Sequence, residues 1–135
     1  MFDVKGSIVA LITPFHEDGS VNFEKLKKLC EWHIQNATDA LLILGTTGES
    51  STKTHEEDDA VVKCVLSCVQ GRVPVIVGSG SNCTETAIQK SIKYSEMGAD
   101  ALLVISPYYN KTNTQGMIHH FTAVADSVSV PVILY

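Results

Sequence analysis

The stretch Leu41-Leu42-Ile43-Leu44-Gly45-Thr46-Thr47-Gly48-Glu49-Ser50 is a four-residue apolar run, preceded by Ala40 and stopped by Gly45, that passes into two hydroxyls between glycines. A run this apolar fits a strand buried on both faces of a parallel sheet. In α/β sheets, open or closed, ligands bind at the C-terminal ends of the strands, so threonines between glycines there suggest a pocket. Glycine lets the backbone come close to a ligand, and the threonine hydroxyls and N–H groups suit a small carboxylate. The same residues also fit a tight strand-to-helix turn followed by a cap, and the stretch alone leaves both readings open.

On either side of this stretch the same alternation of short apolar run and helical pattern recurs. Residues 7–12 form a first strand, stopped by Thr13-Pro14 because proline cannot continue a ladder. Asn22 then caps a helix whose apolar positions Phe23, Leu26, Leu29, Cys30, His33, Ile34 and Ala37 follow the 3.6-residue period. After the strand at residues 40–44, Thr54 and Glu57 form a capping box, with Glu56, Asp58 and Asp59 read as a solvated, dipole-complementing helix start. That helix is expected to run to Gln70 and stop at Gly71. A third strand at residues 73–77 ends in Gly78-Ser79-Gly80-Ser81-Asn82; Cys83 stands where a dinucleotide fingerprint needs its third glycine, so that reading is rejected.

A third helix over residues 84–97 stops at Gly98, and a fourth strand at 101–105 leads to Ser106-Pro107-Tyr108-Tyr109-Asn110. Adjacent tyrosines there suit either an interface or a site, since each buries a ring and keeps its hydroxyl wet. The fourth helix, with Thr112 and Gln115 as a second capping box, carries Met117, Ile118, Phe121, Val124, Ala125 and Val128 on one face. His119 and His120 lack metal-binding spacing and are read as surface or rim residues. Residues 131–135 form a fifth strand. Strand starts near residues 7, 40, 73, 101 and 131 mark a βα repeat, hence parallel topology. A complete doubly wound sheet and four and a half units of an eight-unit barrel both fit. A fifth strand with no helix behind it leaves a bare edge, which favours the partial barrel.

Composition limits what such a fold does. At 135 residues, 44% hydrophobic and 19% charged, the chain has room for one core and one domain is expected. A net charge of -5 and a pI near 5.4, with no Lys/Arg cluster, argue against nucleic acid. No apolar run approaches the roughly 20 residues of a membrane span, and a cytoplasmic protein is expected. Cys30, Cys64, Cys68 and Cys83 lack CxxC spacing and read as reduced core residues, and no metal site is expected.

Gly6-Ser7-Ile8-Val9-Ala10, Thr13-Pro14-Phe15, Gly45-Thr46-Thr47-Gly48-Glu49-Ser50, Pro107-Tyr108-Tyr109-Asn110 and Ile133-Leu134-Tyr135, in this order and spacing, resemble the N-terminal half of the dihydrodipicolinate synthase family. That family lies within the pyruvate-dependent class I aldolases, which also include N-acetylneuraminate lyase. The GTTGES form points to the synthase, since neuraminate lyases usually carry GSTGE. The resemblance implies a (β/α)8 barrel with a short C-terminal helical domain, of which residues 1–135 supply strands one to five. It also implies a homotetramer built as a dimer of tight dimers and a reaction between pyruvate and aspartate semialdehyde, in the diaminopimelate route to lysine, with no cofactor.

By the same resemblance, Thr47 holds the pyruvate carboxylate, and Thr46, Tyr109 and Tyr135 form a proton relay in which Tyr109 reaches into a neighbouring subunit's site. The imine-forming lysine belongs at the end of a sixth strand, beyond Tyr135, and an arginine for the second substrate just after that tyrosine. Lys53 and Lys111 occupy neither place, so these 135 residues alone are expected to be inactive. Ser50, His55, Asn82 and Tyr108 match the family's lysine-feedback site, whereas Asp58 and Thr86 depart from its histidine and glutamate. A pyruvate aldolase acting on a sugar acid or keto acid is the alternative enzyme. A non-catalytic half barrel that buries its edge on a second copy is the alternative outside enzymes.

Overall fold

The computed structural model describes residues 4–135. The regular elements are β1 (Ile8–Ala10), α1 (Phe23–Gln35), β2 (Ala40–Ile43), α2 (His55–Val69), β3 (Val75–Gly78), α3 (Thr84–Glu96), β4 (Ala101–Val104), α4 (Thr114–Asp126) and β5 (Val132–Leu134). The strands form one sheet in the order β1-β2-β3-β4-β5. β1 pairs parallel with β2, Ile8 opposite Ala40 and Ala10 opposite Leu42; β4 pairs parallel with β5, Leu102 opposite Val132 and Val104 opposite Leu134. Sequential order with parallel pairing requires a crossover after each strand, and the helices supply it. The result is four and a half βα units of the α/β class.

The chain divides into two compact units, the first ending at Ile76 and the second spanning Val77–Tyr135. In the first, Leu26 and Cys30 of α1, Leu41 and Ile43 of β2, and Val61, Val62, Val65 and Val69 of α2 are almost wholly buried. Each such aliphatic side chain contributes about 1.5–3 kcal/mol by leaving water. Burial pushes the Cys30 thiol up to about 12, so it behaves as a small hydrophobe. At the outer rim of α1 and α2, Arg72 makes a two-pronged ion pair with Glu31. In the second unit, Ala87, Val104 and Val124 form the centre of a core completed by Ile88, Phe121 and Val132.

Local signals held at two of the helix starts and slipped at a third. Asn22 accepts from Lys25 N at 2.9 Å, and both halves of the Thr54–Glu57 capping box are present. The third was misplaced by one residue: Asn113, not Thr112, caps α4, its Oδ1 accepting from Gly116 N at 2.9 Å. Helix α2 closes on Gln70, which takes the left-handed conformation (φ 51°) in which glycine is usual, with Gly71 left-handed behind it. Ala37 is exposed and also left-handed, beyond the end of α1, and Ile118 and Ala125 face water on α4. Cys83 is exposed, unlike the core residue expected. The strands are also shorter than their apolar runs, because residues such as Leu44 and Ile105 leave the ladder while still packing.

Candidate active site

The chain continues past β2 through a strained turn. Leu44 is buried and left-handed (φ 56°), Gly45 is extended, and Thr46–Gly48 make one turn of 3₁₀ helix, after which Glu49 is again left-handed (φ 54°). The turn closes by Gly48 N donating to Gly45 O and Glu49 N to Thr46 O, both at 3.0 Å. A second 3₁₀ turn, Ser50–Thr52, leads to Lys53 and the Thr54 cap of α2. Thr46 and Thr47 are exposed at this turn, and no hydrogen bond within the chain engages either hydroxyl among the described residues. Two hydroxyls at the N-terminal end of a helical turn after a parallel strand suit an anionic group.

Gly48 is buried, and its carbonyl is gripped twice. Thr13, itself buried in the loop after β1, donates its hydroxyl at 2.7 Å, and the Lys53 ammonium donates at 2.5 Å. A Cβ on Gly48 would stand 3.1 Å from Leu11 O, so any larger residue would have to push the backbone just after β1 back by a few tenths of an ångström. Lys53 Nζ also lies 3.4 Å from Asp58 Oδ1, with the two side chains only 1% and 2% exposed. Burial pulls the Lys53 ammonium below its ordinary value, and Asp58, Glu49 and Glu57 pull it back up. This pair is the polar group that the sequence reading missed. Sequence alone reads Asp58 as part of a solvated helix start and gives Lys53 no role. The available signal was a lysine five residues before an acid at the buried N3-to-N4 stage of a helix, which carries no periodicity of its own.

In the second unit, β4 ends at Val104 and the chain passes through Ser106 and Pro107 to Tyr108 and Tyr109, both exposed, with Tyr109 left-handed (φ 66°). A non-glycine residue in that conformation is uncommon and is held here by its neighbours. Asn110 N donates to Tyr108 O at 2.8 Å, and its side-chain amide reaches Asn82 O at 3.1 Å. Asn82 and Tyr108, two of the four residues matched to the lysine-feedback site, are thus tied into one loop cluster; Ser50 and His55 belong to the first unit. Tyr135 extends β5 by one residue, its N–H donating to Val104 O at 2.9 Å and its carbonyl accepting from Ser106 N at 2.8 Å. Its ring is exposed at the end of the sheet from which Tyr108 and Tyr109 emerge.

The glycine-rich stretch after β3 serves packing. Ser79 is buried, donates its N–H to Leu103 O at 3.1 Å and accepts from the Ser91 hydroxyl at 2.8 Å. A Cβ on Gly80 would fall 2.5 Å from Ile105 N, so this glycine admits the backbone just past β4 and not a phosphate. His120, read as a rim residue, is buried on α4 with Nδ1 2.9 Å from Thr84 Oγ1. Its place three residues after Met117 and four before Val124 puts it on the apolar face, a signal the residue type obscured. Burial holds its imidazole below the ordinary value.

Parallel βα units whose strands end in loops bearing hydroxyls and phenols define an α/β repeat protein of the (β/α)8 class. The chain belongs to the Dihydrodipicolinate synthetase family, whose model matches residues 3–135. It is 55% identical over 131 residues to the 4-hydroxy-tetrahydrodipicolinate synthase of Clostridium perfringens, an alignment covering 97% of this chain and 45% of that protein. The crystal structure of dihydrodipicolinate synthase from Bacillus anthracis superposes with a TM-score of 0.97 at 45% identity, over 100% of this chain and 46% of the other. The chloride-inhibited dihydrodipicolinate synthase of Acinetobacter baumannii, complexed with pyruvate, superposes with a TM-score of 0.97 at 43% identity, over 98% and 46%. The chain therefore spans a little under half the length of the relatives it matches, as the half-barrel reading expects.

Proposed function

We propose that these residues belong to a 4-hydroxy-tetrahydrodipicolinate synthase, a lyase that joins pyruvate, held as a lysine Schiff base, to aspartate semialdehyde. The observation that carries the reading is the Gly45–Ser50 turn: two exposed threonine hydroxyls after β2, in the GTTGES form, within a chain 55% identical to a named synthase. In this reading residues 1–135 are one part of a (β/α)8 domain, and the whole protein is a cytoplasmic homotetramer of the diaminopimelate route.

The reaction assigns work to each polar group. Thr47 takes the pyruvate carboxylate through its hydroxyl and N–H, which fixes the ketone for attack by a lysine amine supplied from outside residues 1–135. The imine draws electrons from the adjacent methyl group, which loses a proton and attacks the aldehyde carbon of the second substrate. Protons must reach the departing water and the new alkoxide. Tyr135 and Tyr109 suit that task because a phenol both donates and accepts, and the Thr46 hydroxyl suits the place of bridge between them. Ser50, His55, Asn82 and Tyr108 are proposed to contribute to a lysine-feedback site. Asp58, which departs from the family's histidine there, is turned inward on Lys53, which counts against strong feedback in this protein.

Steady-state assay of the whole protein tests the reading. Condensation of pyruvate with aspartate semialdehyde at a kcat/KM at least 100-fold above cleavage of N-acetylneuraminate is the expected result. The reverse preference would move the protein to the alternative pyruvate aldolase.

A further inference from the structure

The buried Lys53–Asp58 pair lies outside the groups that the proposed reaction uses, yet its ammonium ends on the turn that carries Thr46 and Thr47. We infer that Lys53 is a positioning residue for that turn, clamping the Gly48 carbonyl so that the Thr46 and Thr47 donors are set for a carboxylate. This rests on the proposed assignment of Thr47 to the pyruvate carboxylate.

A single 3₁₀ turn is closed by two backbone hydrogen bonds of poor geometry, and it is flanked by two non-glycine residues in the left-handed region, Leu44 and Glu49. Left to itself such a segment relaxes. Among the described residues, its backbone is held from outside the turn by two donors to Gly48 O, Thr13 Oγ1 from the loop after β1 and Lys53 Nζ from just before the Thr54 cap of α2. Together they use both lone pairs of that carbonyl, which fixes the plane of the Gly48–Glu49 peptide and with it the last residue of the turn.

Lys53 in turn cannot wander. Its side chain is 1% exposed, and Asp58 in the first turn of α2 holds the ammonium at 3.4 Å. Helix α2 is itself anchored by the Thr54–Glu57 capping box, so the clamp runs from a rigid helix start to the turn. A buried ion pair is a poor source of net stability, since desolvation offsets much of its attraction, but it fixes geometry well. Placed one residue beyond the proposed carboxylate grip, fixed geometry is what substrate binding requires.

The test is made on the whole protein with pyruvate as the probe. Lys53→Met alone leaves Asp58 buried without its cation and confuses folding with positioning, so the informative variant is Lys53→Met with Asp58→Leu, which removes both charges together. The inference predicts a folded protein whose KM for pyruvate rises about tenfold or more while KM for aspartate semialdehyde changes far less. A pyruvate KM equal to the parent's in that variant overturns it. Should the double variant not fold, Lys53→Gln and Asp58→Asn supply a second contrast. Both break the ion pair, but only the first shortens the donor to Gly48; a larger pyruvate KM for Lys53→Gln supports the clamp, and equal values overturn it. Thr47→Val separates this from the underlying reading. If Thr47→Val raises the pyruvate KM and the Lys53 variants do not, the clamp alone falls; if Thr47→Val leaves it unchanged, the carboxylate assignment falls and the clamp with it.

Discussion

The backbone N–H of Tyr135 donates to the carbonyl of Val104 at 2.9 Å, so the tyrosine's main chain is fixed by the sheet while the residue stays 73% exposed. Main chain and side chain are therefore separable. Tyr135→Phe keeps every ladder bond and loses only a hydroxyl in water, and its melting temperature should stay within about 2 °C of the parent. In the whole enzyme kcat should fall roughly 10²-fold or more, the cost of removing a positioned acid/base group. Thermal unfolding beside steady-state kinetics measures both, and an unchanged kcat would take Tyr135 out of the proton relay.

Gly80 makes the opposite prediction, a large effect on stability from a residue with no chemistry. A Cβ there would lie 2.5 Å from Ile105 N and 2.8 Å from Ile105 Cγ2, and the first of these is backbone that cannot swing away. Gly80→Ala should cost about 1–3 kcal/mol or more, as overpacking does. Urea unfolding checks it. A loss below about 0.5 kcal/mol would mean that the segments following β3 and β4 part easily at Gly80 and Ile105.

His120 predicts how stability responds to acid. Its imidazole is buried on α4 and held by desolvation below the ordinary value of 6.5, so the native state takes up this proton later than the unfolded chain does. Between 6.5 and the lowered native value the unfolded state binds more protons, and stability therefore falls as pH falls through that window. His120→Gln keeps a polar partner for Thr84 Oγ1 but cannot titrate. The slope of unfolding free energy between pH 7.5 and 5.5 should be shallower in this variant than in the parent; equal slopes would assign the acid sensitivity to other groups.

The sequence makes some of this legible and hides the rest for definite reasons. β2 and the Thr54–Glu57 capping box were readable because an unbroken apolar run and an i, i+3 hydroxyl–carboxylate pair are local signals with one dominant outcome. Thr46 and Thr47 were readable as a place, the C-terminal end of a buried strand, though the bond pattern around Gly48 was not. Asp58 and His120 were misread as solvated because a charged or titratable residue type outweighed their positions, and only the tertiary partners Lys53 and Thr84 show why burial is tolerated. Gln70 illustrates a smaller failure: the glycine that signalled the helix end stands one residue after the left-handed cap.

Borohydride reduction of the whole protein with pyruvate, followed by peptide mass mapping, asks whether these residues serve a pyruvate Schiff-base enzyme. One reduced pyruvate adduct per chain is expected, on a lysine outside residues 1–135, with no specific adduct on a polypeptide of those residues alone. An adduct on Lys53, Lys111 or another lysine within residues 1–135, or the absence of any adduct on the whole protein, would overturn the Schiff-base reading.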